Sequence, residues 1–145
     1  MPYKFYTKMK QIIIVGFLTV ISIAANAQVY RFNAFQASST TNFNKLIRER
    51  DWKNTDMSVE MNFDRDQINI SGKNGRDWYL RNILSSSVDV AHNEYSFHYE
   101  AIDGDGVNCQ VYLTFFDGSS EEKIATVMMV YSNYKLSFRL RKEAN

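Results

Sequence analysis

The sequence predicts an all-β protein: one antiparallel meander of six to eight strands forming a small barrel or a strongly curled sheet, with one short N-terminal helix. Three observations predict it. From Met57 onward apolar residues recur every second position, the signature of half-buried strands. Short clusters of Gly, Asp, Asn and Ser separate these runs at turn-like intervals. Aromatic residues make up 14% of the 145 residues, and aromatic side chains favour pleated, half-buried surfaces. With one proline and six glycines the chain has no room for a linker or a Gly-rich phosphate loop, and it reads as one domain. A single cysteine excludes an intramolecular disulfide framework and a cysteine-based zinc cluster.

The first 27 residues read as a signal peptide rather than as part of the fold. Lys4, Lys8 and Lys10 supply a positive start, and Ile12 to Ala25 is a nearly unbroken apolar run. Ala25-Asn26-Ala27 then places small residues at the −3 and −1 positions of a cleavage site. The run of 14 residues falls short of the roughly 18 needed to span a bilayer. An exported protein follows, periplasmic or secreted, whose domain is residues 28–145 with no membrane span after cleavage. That domain carries 14 basic against 16 acidic residues, a net charge of −2. A near-neutral surface gives no basic excess for a phosphate backbone, so nucleic acid is not an expected partner.

Val29 to Phe35 reads as a short strand, with Tyr30 and Phe32 on one face. Over Ser38 to Asp51, Phe43, Leu46, Ile47 and Arg50 repeat at helical spacing behind capping Ser and Thr residues. A short helix is expected there, packed on the sheet against Met129 or Tyr131. Met57, Val59, Met61 and Phe63 then share the inward face of a strand, and Asp64-Arg65-Asp66 turns the chain. Ile68 and Ile70 point inward on the next strand, Gly72-Lys73-Asn74-Gly75 turns again, and Arg76 to Leu84 follows with Trp78 and Leu80 as apolar members. Ser85-Ser86-Ser87 is expected to end it.

The second half alternates more regularly. Tyr95, Phe97, Tyr99 and Ala101 face one way, and Asp103-Gly104-Asp105-Gly106 is a strong hairpin signal. The return strand carries Val107, Cys109, Val111, Leu113 and Phe115 inward, and Asp117-Gly118-Ser119-Ser120 turns. Ile124 to Tyr131 is a strand, Ser132-Asn133 a tight turn, and Tyr134, Leu136, Phe138 and Leu140 face inward on the last strand. The Ile124–Tyr131 strand is apolar on both faces, which a strand wetted on one side is not. Something must cover its outer face, either a segment of this chain or a partner. Tyr112 and Phe116 lie opposite the core face of the preceding strand, so the patch extends across both.

No enzyme signature assembles. Asp103 and Asp105 lack the further oxygen ligands of a calcium loop, and the hairpin turn accounts for them. His92 and His98 are the only histidines and sit on wet positions, and no serine lies in a nucleophile elbow. No catalytic, cofactor-binding or metal-ligating position is expected, and no cofactor is implied. Lone Cys109 reads as a buried, inert thiol. Lys135, Ser137, Arg139 and Arg141 form a basic outward stripe on the last strand, read as protection of an exposed sheet edge.

The reading this pattern favours is a non-catalytic interaction module around a closed aromatic core, with a carrier of a small hydrophobic ligand as the alternative. An interaction module would bind an unknown protein through the doubly apolar strand. A lipocalin-like carrier would hold a small hydrophobic ligand in a cavity lined by Trp78, Phe97, Tyr99 and Met128. The candidate ligand or partner surface is therefore Trp78, Phe97, Tyr99, Tyr112, Phe116, Met128, Met129 and Tyr131. A barrel of about eight strands lies at the boundary between a core filled by its own side chains and one that holds a ligand.

The plan also resembles the small exported, uncharacterised β-proteins of Bacteroidetes. The resemblance rests on the leader ending Ala25-Asn26-Ala27-Gln28, on Tyr30 and Phe35, and on Trp52 ahead of Asp64-Arg65-Asp66-Gln67-Ile68. It continues through Asp103-Gly104-Asp105-Gly106-Val107-Asn108-Cys109 and Tyr131-Ser132-Asn133-Tyr134. It implies export and a compact antiparallel sheet or half-barrel, and carries over no catalytic residue.

Overall fold

The computed structural model describes residues 29–41, 48–72, 75–116 and 124–143. The leader, residues 42–47 of the expected helix and the 117–120 turn lie outside them. Eight strands follow in order: β1 (Val29–Thr40), β2 (Lys53–Asn62), β3 (Gln67–Ser71), β4 (Arg76–Asp89), β5 (Glu94–Asp103), β6 (Asn108–Phe116), β7 (Ala125–Val130) and β8 (Lys135–Lys142). Each is antiparallel to its neighbour in sequence. β8 returns to β1, with Phe32 opposite Lys142 and Thr40 opposite Lys135, and the sheet closes into a barrel.

Alternation supplies the interior. Phe32, Val59, Met61, Ile68, Trp78, Tyr99, Val111, Leu113, Val127, Met129 and Leu140 are the largest fully buried side chains among the described residues, contributed by every strand. An eight-stranded barrel is just wide enough for such side chains to fill it. Burying each large apolar side chain contributes on the order of 1.5–3 kcal/mol, so this cluster dominates the stability of the fold.

Four expectations are corrected. β1 does not stop at Phe35: an irregularity between Ala34 and Gln36 lets it continue to Thr40 with Ala37 facing inward opposite Phe138. No helix starts at Ser38; the described part of that region is extended to Thr40, followed by a single 3-10 turn at Glu49–Asp51. Ser85-Ser86-Ser87 do not end β4, because β5 supplies them with partners, His98, Phe97 and Ser96. β8 is not an edge. It pairs on both sides, so its outward stripe protects no open ladder.

The stripe has other contacts instead. The Arg139 guanidinium makes two hydrogen bonds to the Glu49 carboxylate, at 2.7 and 2.9 Å, and lies 4.2 Å from the centre of the Trp52 ring. Ser137, on the same face, is buried. The chain around Glu49–Trp52 thus crosses the outside of β8. Met129 and Tyr131 are not under this segment; both face the lumen, where they are buried.

Candidate functional site

The two ends of the barrel differ. At one end meet the last residues of β1, β3, β5 and β7 and the first of β2, β4, β6 and β8. A cavity of about 510 Å³ opens there. Register explains its lining. Lys53, Thr55 and Met57 follow one another on the inward side of β2, and Arg76 and Trp78 do so on β4. Ala37 stands opposite Lys53, and Ile70 opposite Arg76. β8 contributes Leu136 and Phe138. The result is an apolar floor with two cationic side chains at the outermost inward positions.

A buried polar network borders this floor. The Trp78 indole N–H donates to the Tyr131 hydroxyl at 2.9 Å, and that hydroxyl donates to Asp103 Oδ2 at 2.9 Å. Asp103 Oδ1 accepts the backbone N–H groups of Asp105 (3.0 Å) and Val107 (2.9 Å). The turn they close has Gly106 at φ +83°, a conformation that favours glycine. Tyr131 stacks on Tyr134, with ring centres 4.5 Å apart, and Arg76 donates to the Tyr134 hydroxyl at 3.1 Å.

Burial pushes the Asp103 carboxyl toward higher pKa, but the N–H of Val107, the Tyr131 hydroxyl, the N–H of Asp105 and the nearby Arg76 charge outweigh it, and the group sits below its ordinary value. Asp103 is therefore an ionised, fully engaged buried carboxylate. Burial raises the Tyr131 hydroxyl well above its usual range and pushes the Cys109 thiol up to about 11. Such a thiol is inert as a nucleophile at neutral pH. Among the described residues no group of three or more His, Cys, Asp or Glu side chains converges on a metal position.

The residues picked out from the sequence separate into three places. Trp78 and Tyr131 meet at the mouth. Phe97, Tyr99 and Met129 are buried in the filled part of the barrel. Tyr112, Phe116 and Met128 lie half-buried on the outer face, with Met128 opposite Tyr112. The expected cavity of Trp78, Phe97, Tyr99 and Met128 therefore does not form: Val127 and Met129 take the inward positions of β7, so Met128 must point out. On that outer face His98 stacks on Tyr112 at 4.0 Å, and its Nε2 lies 2.8 Å from Gln110 Oε1. Lys53 and Arg76 were not among the sequence candidates. The signal was present at Lys53, two residues before Thr55 and four before Met57, where the inward alternation extends backward to the start of β2.

No family model matches this sequence, and neither a curated protein nor a solved structure gives a significant match.

Proposed function

We propose that the chain is an exported, non-catalytic binding protein that carries a small, largely apolar molecule in the mouth of its barrel. The observation that carries this reading is the cavity of about 510 Å³ floored by Met57, Ile70, Leu136 and Phe138. Ordinary ligand sites run from about 300 to 1,000 Å³ and combine an apolar lining with a few polar groups. The Trp78–Tyr131–Asp103 hydrogen bonds support it further, since they fix the wall beside the opening. The leader features, Lys4 to Ala27, support export.

A second reading, an interaction module for a protein partner, draws on the outer face of β6 and β7. Tyr112, Phe116, Met128 and Val130 are half-buried there, with Tyr112 opposite Met128. Native mass spectrometry of the protein expressed with its leader and purified from the exported fraction separates the two. A mass lacking residues 1–27 with an adduct of a few hundred daltons is the expected result. A bare monomer that retains only a protein partner would transfer the function to the outer face.

A further inference from the structure

We infer that the barrel mouth selects amphiphilic anions: molecules with an apolar body and one carboxylate or phosphate head, held by Arg76 and Lys53. The inference rests on the mouth being the ligand site and adds the class of ligand. Strand parity turns both side chains into the mouth rather than leaving them on the outer surface. An inward position on a barrel strand ordinarily carries an apolar side chain. Here two cations occupy such positions, Arg76 beside Ile70 and Trp78 and Lys53 beyond Thr55 and Met57.

Two carboxylates lie near these cations, and each has its hydrogen bonds to other partners. Asp51 is the one carboxylate among the described lining residues, and its Oδ2 accepts the Arg48 backbone N–H at 2.8 Å. Asp103 spends both oxygens on Tyr131 and on its own turn. None of the ion pairs among the described residues includes Arg76 or Lys53. The Tyr134 hydroxyl takes one of the five guanidinium donors of Arg76 and supplies no charge. A head group at this rim meets two cations that take part in none of the described ion pairs, while the body below it meets apolar side chains. A cationic head would meet repulsion there, and a neutral one would forgo the charge-assisted hydrogen bonds.

Isothermal titration calorimetry of residues 28–145 at low salt, with decanoate, decyl phosphate, decanol and decyltrimethylammonium as probes, tests this. The two anions are expected to bind about fivefold tighter than decanol, the upper end for a charge pair at an exposed rim. The ratio between decanoate and decyl phosphate assigns the head as carboxylate or phosphate. Lengthening the chain from octanoate to decanoate is expected to tighten binding about fourfold per methylene while the cavity floor still accepts it. The double variant R76M/K53M should bind decanoate no better than decanol and leave decanol unchanged. If that variant does not fold, raising the salt on the intact protein decides, since it should weaken decanoate and spare decanol. Equal binding of decanoate and decanol, or tightest binding of the ammonium, overturns the anion inference and leaves the mouth as a site. Failure of all four probes overturns the mouth reading with it.

Discussion

The two ends of this barrel are made by the same eight strands and solve opposite problems. At the end where β1 starts and β6 finishes, the lumen is closed by rings. Tyr30 meets Phe63 at 5.8 Å with planes tilted by 60°, and Phe97 meets Phe115 at 6.1 Å and 58°. Aromatic rings bury large areas and interlock at such tilts, so this half needs no polar group to fix it. At the other end small side chains, Ala37, Ser39 and Thr55, share the lining with Lys53 and Arg76, and a cavity remains. There the wall is held by directed hydrogen bonds from Trp78 through Tyr131 to Asp103. Packing secures the closed half and a polar network secures the open one.

That contrast predicts different penalties. In the closed half, Phe32→Ala removes a fully buried ring from a filled region. A loss of about 4 kcal/mol is expected, since large-to-small changes of this kind leave a cavity that collapses only partly. Urea unfolding at pH 7 measures it. A loss below about 1 kcal/mol would mean that the closed half is not packed as tightly as the open one.

In the open half the sensitive change is smaller in volume. Tyr131→Phe deletes one oxygen and leaves both the Trp78 N–H and Asp103 Oδ2 without their shared partner. Stranding buried polar groups costs about 2 kcal/mol here, although almost no apolar contact is lost. The same unfolding measurement should therefore separate the two halves by mechanism. Val127→Ala, a pure packing change nearby, must not reproduce the effect of Tyr131→Phe on the acid limb described next.

Asp103 gives the open end its own pH dependence. Its carboxyl lies below the unfolded value, so its contribution is complete above about pH 4 and is lost as the pH falls through the folded value. Stability measured from pH 6 down to pH 2 should fall more steeply for the native protein than for Asp103→Asn, which cannot titrate. Parallel acid limbs would show that the carboxylate is not held by its turn and by Tyr131.

The closed half was the more legible in the sequence. Val59 to Phe63, Tyr95 to Tyr99 and Val111 to Phe115 alternate without interruption, so their inward faces follow from period alone, and at the open end the Asp103-Gly104-Asp105-Gly106 turn is as plain. The open end depends on features that period does not reveal. Ser38 to Thr40 is a polar stretch that becomes strand because β8 offers hydrogen-bond partners, as Ser85 to Asp89 does against β5 at the closed end. The pairing of β1 with β8, which closes the barrel, is a contact between the two ends of the chain. Lys53 reaches the mouth because β2 starts earlier than its apolar pattern does, whereas Arg76 lies at the start of the expected strand, two residues before Trp78. Polar strand ends carry little sequence signal, and at this end of the barrel they carry the candidate site.

The smallest expected effect lies at the tip of the β4–β5 hairpin, beyond the closed end. His92 Nδ1 sits 2.8 Å from Asp89 Oδ2, and both side chains are exposed. The hydrogen bond to Asp89 raises the imidazole above its ordinary value, and the same bond lowers the carboxyl. A raised histidine stabilises the fold below its unfolded value, near pH 6.5, and loses that contribution as the pH rises through the folded one. An exposed pair is screened by water and salt, so the contribution is close to nothing even when both groups are charged. His92→Gln should leave the urea midpoint unchanged at pH 8 and shift it barely, if at all, at pH 5. A clear loss at pH 5 that vanishes at pH 8 would show that the closed end also relies on a charged contact. The division between a packed half and a hydrogen-bonded half would then fail at its outermost residue.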